Sequence, residues 1–238
     1  MPKGARRRPV RRLLRWSGLA LGGWLVASIL AVLVLRFVHP PLSAVMARDW
    51  IDARLAGDRT FSVDYRWTPW DHVSPAVPAA LVAAEDQTFP RHHGFDIASI
   101  QDALATADAG GRLRGASTIS QQVAKNLFLW NGRSFVRKGL EAWFTVLIEA
   151  LWPKRRILEM YLNIAEFGHG IYGVGAASER FFHASPARLD GHHAALLAAV
   201  LPNPARLHAE RPSPYVLQRA RWIERQVRQL GSAARVDD

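Results

Sequence analysis

From Trp16 to Leu35 the chain runs for twenty residues without a charge, and Arg36 ends the run. At 1.5 Å rise per residue a helix of that length spans about 30 Å, the thickness of a bilayer core. After it the pattern changes. His39-Pro40-Pro41 breaks the helix, and a moderately amphipathic stretch follows over 42–55. Residues 57–78 are rich in turn formers and aromatics, among them Tyr65, Trp67, Pro69, Trp70, Pro75 and Pro78. That stretch reads as irregular, with a short strand over 61–65. From Pro78 onward the apolar recurrence is helical almost to the end. It predicts helices over 78–89, 96–108, 117–130, 134–151, 154–164, 172–182, 190–201 and 213–230. The pattern describes a mainly α domain on a single N-terminal transmembrane helix.

Charge sharpens the reading of that apolar run. The chain of 238 residues carries +11, from 31 Lys and Arg against 20 Asp and Glu. Seven of the cations (Lys3, Arg6, Arg7, Arg8, Arg11, Arg12 and Arg15) precede the apolar run, with no acidic residue among them. The rest of the chain is close to balanced, which argues against a nucleic-acid partner. Basic residues ahead of the span and only Arg36 shortly after it predict a cytoplasmic N-terminus, with the domain outside the inner membrane. A cleaved signal peptide is the competing reading. Its apolar region would be shorter, and the sequence near Val45-Met46-Ala47 is a poor cleavage site, so an uncleaved anchor is expected. The expected division is a basic tail over 1–15, an anchor over 16–38, a connection over 39–61 and a domain over 62–230. Hydrophobic content of 49% is ample for a core, and the absence of cysteine excludes disulfides and thiolate metal sites.

Three stretches carry chemistry. Gly115–Asn126, read as a helix, places Thr118, Gln122 and Lys125 on one face at i, i+4 and i+7. Thr118 and Gln121 have the spacing of a capping box. A hydroxyl, an amide and an ammonium in one stripe suit an anionic, oxygen-rich ligand; a solvated helix face is the plainer alternative. At the end of an apolar helix, Glu85 and Asp86 are adjacent carboxylates followed by His92, Gly94 and Asp96. Desolvation there would raise a carboxyl pKa and suit a general base, whereas a lone Glu-Asp pair is more often a solvated helix end. Arg137 and Glu141 are helix neighbours opposite an apolar stripe of Leu140, Phe144, Leu147 and Leu151, and by themselves read as a surface ion pair. The histidines show no metal-ligand spacing, and the glycines at 168, 170, 173 and 175 let backbones approach without forming a dinucleotide loop. The basic run Gly110-Gly-Arg-Leu-Arg-Gly115 suggests a mobile loop over 104–116 beside the site.

Taken in order, these segments resemble the peptidoglycan glycosyltransferases, specifically the membrane-anchored monofunctional biosynthetic branch. The resemblance rests on Glu85-Asp86-x-x-Phe89-x-x-His92-x-Gly94-x-Asp96, then Gly115-x-Ser117-Thr118-Ile-Ser120-Gln121-Gln122-x-x-Lys125-Asn126. Arg137-Lys138-x-x-Glu141 follows, then Lys154-x-x-Ile157-Leu158-Glu159-x-Tyr161-Leu162-Asn163. Gly168-x-x-x-x-Gly173-x-x-x-Ala177 and Ala194-Ala-Leu-Leu-Ala198 up to Pro202-Asn-Pro204 complete it. There are departures: His193 stands where the family often has an acid, and Ser120 replaces a threonine common in bifunctional relatives. No Ser-x-x-Lys occurs, so the transpeptidase domain of those relatives is missing.

The resemblance implies a lysozyme-like glycosyltransferase fold over 62–230 that polymerises lipid II, the undecaprenyl-diphosphate-linked disaccharide-pentapeptide. Glu85 would be the general base on the acceptor 4-hydroxyl, and Glu141 would assist at the donor diphosphate. Lys125, Arg137 and Lys138, with Thr118 and Gln122, would hold that diphosphate. Asp86 and His92 would organise the Glu85 loop, and Phe89, Ser117, Gln121 and Asn126 complete the expected substrate-binding set. No cofactor is obligatory, although Glu141 could act through a divalent cation (Mg or Mn) at the diphosphate. Lipid II, the growing glycan chain, the membrane and cell-wall synthesis proteins are the expected partners. A lysozyme-like hydrolase or lytic transglycosylase is the alternative enzyme and would need two acids flanking the sugar. A non-enzymatic scaffold would be inert on lipid II.

Overall fold

The computed structural model describes residues 7–98, 101, 117–132, 134–234 and 236. Most of the expected helix over 96–108 lies outside the described residues, as does the whole of the loop over 104–116. The chain divides into two units, Met1–Val38 and His39–Asp238. The first contains helix α1 (Arg7–Leu35), whose stretch Leu14–Leu35 has a mean hydropathy of 2.4 and is long and apolar enough to cross a membrane.

The second unit is mainly α. After α2 (Ala44–Leu55) and strand β1 (Asp64–Tyr65) come α3 (Ala76–Glu85), α4 (Ile119–Phe128), α5 (Phe135–Leu151) and α6 (Lys154–Ile164). Strands β2 (Glu166–Gly168) and β3 (Ile171–Tyr172) precede α7 (Gly173–Phe182), α8 (Gly191–Val200) and α9 (Pro214–Leu230). The three strands form one small sheet in the order β1-β3-β2, with β1 parallel and β2 antiparallel to β3. Only β1 was expected. Runs of two or three residues are too short to show alternation, and the pairing of β1 with β3 is fixed by contacts distant in sequence.

Helix ends follow from local chemistry. The α3 helix begins two residues before Pro78, because a proline in the first turn lacks only an N–H that has no intrahelical partner. It stops at Glu85 rather than at 89, where Asp86 swings out of helical geometry at φ −161°. Ser43, Ser134, Asp190 and Ser213 cap α2, α5, α8 and α9 by accepting from the N3 backbone N–H. His193, the position of the departure noted above, supplies that N–H to Asp190 at the start of α8.

Packing brings three helices to one corner. The apolar α3 lies against α8 and α9, while α4 lies against α5 and α6. Val77, Leu81, Ile119, Val123, Ile148, Leu158 and Leu162 are fully buried, and Phe128 stacks on Phe144 at 4.2 Å between α4 and α5. The irregular stretch before α3 is tied to α6 by Asn163, which accepts from Thr68 N at 2.7 Å and donates to Thr68 O at 2.9 Å. Glu159 Oε1 accepts from Trp70 N at 2.9 Å. Gly175, at the start of α7, lets Arg66 cross: a Cβ there would meet its carbonyl oxygen at 2.5 Å.

Gly94 controls how the Glu85 turn meets α5. Its φ is +90°, and a Cβ would lie 2.8 Å from Thr145 Cγ2 and 3.0 Å from Glu149 Cγ. Backbone conformation and space both demand glycine here. Gly94→Ala is expected to destabilise the protein by about 2 kcal/mol or more, measured as a drop in chemical-denaturation midpoint on the detergent-solubilised full chain.

Candidate active site

Glu85 is the last residue of α3, and its neighbour Asp86 is the anchor that holds it. Asp86 is 7% exposed. Its Oδ2 accepts from Ile119 N at 3.0 Å, at the start of α4, and pairs with His92 Nε2 at 2.8 Å. His92 Nδ1 accepts from Gly94 N at 3.0 Å, so the network assigns the ring proton facing Asp86 to Nε2. Thr88 Oγ1 reaches Asp86 Oδ1 at 3.3 Å and Asp96 Oδ2 at 2.6 Å. Asp86 and His92 therefore organise the Glu85 turn. Phe89, expected among the substrate contacts, is fully buried beneath the Lys154 ammonium, 4.5 Å from its ring centroid. Its place is in the core.

The residues of the α4 stripe have three different surroundings. Thr118 is 3% exposed, not ligand-facing: its hydroxyl donates to Gly94 O at 2.7 Å and accepts from Gln121 N at 3.2 Å. Gln121 Oε1 returns an acceptor to Thr118 N at 3.0 Å, completing the capping box and engaging both side chains in the helix start. Gln122, one turn on, donates from Nε2 to Glu85 Oε2 at 3.0 Å. It thus serves the carboxylate rather than standing beside a phosphate. Lys125 is half-buried, and burial lowers its pKa. Glu141 counters that shift, Arg137 and Lys138 add to it, and Glu85 opposes it. Four charged groups thus act on one ammonium. Ser117 is exposed, and Ser120 is buried with its hydroxyl bonded to Glu149.

On α5, Glu141 is far from an ordinary surface acid. It is 3% exposed. Its Oε2 accepts from Arg137 Nη1 at 2.6 Å, and its Oε1 pairs with the Lys138 ammonium. Arg137 is fixed further by Nε donating to Gly132 O at 2.8 Å. A buried carboxylate holding two cations is structurally committed, because removing it would leave both charges without a counterpart. Among the described residues no group of three or more His, Asp or Glu is placed to hold a metal ion. Both Glu141 oxygens are engaged by these two cations, so the described side chains alone do not form a metal site.

Glu85 itself has little support. Burial raises its pKa, and the neighbouring Asp86 charge adds to the shift. The Gln122 hydrogen bond, Arg219 and Lys125 oppose it. Arg219 Nη2 on α9 lies 4.0 Å from Glu85 Oε1. Gln122, Lys125, Asn126 and Tyr161 share a cavity of about 220 Å³ with Asp49, Asn131, Glu166 and Tyr172. The arrangement can take a proton at Glu85 and hold negative charge near Lys125, Arg137 and Lys138.

Sequence reasoning missed two side chains here. Tyr161 sits in an apolar α6 pattern that reads as core, and its ring is 1% exposed, yet its hydroxyl donates to Gln122 Oε1 at 3.2 Å. Arg219 lies beyond the motifs on a helix rich in exposed arginines, so nothing local distinguishes it from Arg221 or Arg225.

The chain is similar to known proteins over most of its length. A family model described as Transglycosylase matches residues 55–228. A biosynthetic peptidoglycan transglycosylase of Xanthomonas axonopodis pv. citri (strain 306) is 55% identical over 227 residues, 95% of this chain and 92% of the relative. A protein of the same name from Xylella fastidiosa (strain 9a5c) is 56% identical over 210 residues, covering 88% of this chain and 86% of that one. With the family model and relatives of this similarity spanning nearly the whole chain, the protein belongs to the transglycosylase family, in its biosynthetic peptidoglycan branch.

Proposed function

We propose that this protein is a peptidoglycan glycosyltransferase that polymerises lipid II into linear glycan strands and releases undecaprenyl diphosphate. The observation that carries the reading is the contrast between Glu85 and the cations gathered on Glu141. Glu85 is half-buried, with a pKa raised by desolvation, and has one strong donor. Facing Lys125, two further cations are held on a buried acid.

Glu85 removes the proton from the acceptor N-acetylglucosamine 4-hydroxyl. That oxygen attacks the anomeric carbon of the donor chain, the bond from that carbon to the phosphate oxygen breaks, and configuration inverts from α to β. A sugar alkoxide would need an acid to leave, but a diphosphate needs charge neutralisation. Lys125, Arg137 and Lys138 supply it through charge-assisted hydrogen bonds, with Glu141 positioning the latter two. Asn126 lines the cavity beside Lys125, and Ser117 is exposed just ahead of α4. No step is assigned to a divalent cation.

A hydrolytic mechanism would require a second free acid near Glu85. Asp86 is consumed by Ile119, His92 and Thr88, and Glu141 by its two cations. Among the described residues, the acids near Glu85 therefore favour polymerisation over cleavage. The apolar α1 suits a membrane-anchored enzyme whose substrates are lipid-linked. Its basic flank supports a cytoplasmic N-terminus and a catalytic domain on the outer face of the inner membrane.

Four outcomes test this account. Glu85→Gln is expected to lower glycan-chain synthesis from labelled lipid II by at least ~100-fold. A folded Glu85→Gln enzyme that still polymerises would remove Glu85 from the role of base. The same variant is expected to melt higher than the wild type at neutral pH. A carboxyl whose folded pKa is raised costs stability when ionised, so the difference should vanish as pH falls below the ordinary glutamate range. The kcat/KM profile is expected to be bell-shaped. Activity should fall in acid as the raised Glu85 takes up a proton, and in base as the lowered Lys125 gives one up. Lys125→Ala and Glu141→Gln should each cost at least about tenfold in rate.

A further inference from the structure

The two oxygens of Glu85 are not equivalent. Oε2 accepts from Gln122 Nε2 at 3.0 Å, whereas Oε1 faces the Arg219 guanidinium at 4.0 Å, beyond hydrogen-bond reach. A primary amide is two-ended, and Gln122 turned about would present its carbonyl oxygen to the carboxylate. Two acceptors would then face each other, so the direction of this amide matters to the base.

The far end of the amide decides its direction. Gln122 Oε1 accepts from the Tyr161 hydroxyl at 3.2 Å. Tyr161 is held by α6, with its ring fully enclosed in the core, so the hydroxyl arrives from a rigid support. We propose that Tyr161 is a positioning residue for the reaction: by donating to Gln122 Oε1 it keeps the Gln122 N–H on Glu85 Oε2, and so reserves Oε1 as the atom that takes the proton of the acceptor hydroxyl. The inference rests on Glu85 being the base. Burial, reinforced by the nearby Glu85 and Asp86 charges, holds the Tyr161 pKa well above that of an ordinary phenol. The hydroxyl therefore remains a donor throughout the working range. No proton travels along the chain. The acceptor O–H bond breaks, Glu85 Oε1 gains the proton, and the tyrosine and amide keep theirs.

The groups acting on Glu85 are Gln122 and Lys125 from α4, Arg219 from α9, adjacent Asp86, and Tyr161 from α6 through Gln122. Only the Gln122–Tyr161 pair has a direction that can reverse. Tyr161→Phe keeps the buried ring and removes the hydroxyl, freeing the amide to turn. With the donor facing Glu85 for less of the time, the carboxylate should bind its proton more tightly.

The test uses the full-length protein in detergent with labelled lipid II, recording pH profiles of kcat/KM for the wild type, Tyr161→Phe, Gln122→Met and the double variant. The acid limb of Tyr161→Phe is expected to move to higher pH, with kcat at the optimum down about tenfold and KM within about twofold of wild type. Gln122→Met should move the limb in the same direction by at least as much, and the double variant no further than Gln122→Met alone. A tyrosine that only filled space would lower the melting temperature and leave the acid limb in place, and an unmoved limb in folded Tyr161→Phe overturns the proposal. So does an additive double variant. Were Tyr161→Phe unable to fold, an unmoved limb in Gln122→Met would overturn it equally. Glycan synthesis by Glu85→Gln would defeat the reading of the base; an inactive Glu85→Gln with an unmoved Tyr161→Phe limb would defeat this inference alone.

Discussion

The site depends on one carboxylate whose oxygens are taken up by structural hydrogen bonds. Asp86 accepts from the backbone of Ile119 and from the His92 ring, and so pins the end of α3 to the start of α4. The first N–H groups of a helix have no intrahelical partner and carry partial positive charge, which makes this a favourable resting place for a buried anion. Two consequences follow from the covalent chain. Glu85, the preceding residue, is left at the rim of the same corner, and Gln122, three residues after Ile119, comes round to face it. Gly94 completes the corner by giving its N–H to His92 and its carbonyl to Thr118.

Three acids in this neighbourhood have three different roles because their partners differ. Asp86 is surrounded by donors and is spent on structure. Glu141 is neutralised by Arg137 and Lys138 and works by holding them. Glu85 alone combines partial burial, a single strong donor and an oxygen without a hydrogen bond among the described residues, so its carboxylate has capacity left for a proton. Environments that push carboxyl groups apart in this way are how one set of residue types yields both anchors and a base. The cations sit along α4 and α5, and in the proposed reaction this separates proton removal from leaving-group stabilisation.

Much of this was legible in the sequence. Helical periodicity located α2, α3 and α4–α9 to within a few residues, and the twenty-residue uncharged run marked α1. The order of motifs identified the family, and the Thr118–Gln121 spacing announced the start of α4. What spacing could not convey was direction. Thr118 and Gln122 lie on one helical face by arithmetic, yet one is buried against Gly94 and the other turns to Glu85. Phe89 belongs to a motif and serves the core. Tyr161 looked like core and ends on the amide that bonds Glu85. Arg219 comes to Glu85 only because α9 packs on α3, a contact between segments more than a hundred residues apart. Strands β2 and β3 and the order of the small sheet were invisible for the same reason: they are decided by tertiary pairing.

The central claim is that proton acceptance and diphosphate stabilisation occupy separate ends of one site. The most direct measurement is a structure of the protein bound to two lipid II analogues, the donor carrying a phosphonate that cannot leave. The account predicts the acceptor 4-hydroxyl within about 3 Å of Glu85 Oε1, and the donor phosphonate against Lys125, Arg137 and Lys138. A complex with the donor phosphonate seated at Glu85, or with the acceptor hydroxyl bonded to another residue, would contradict it.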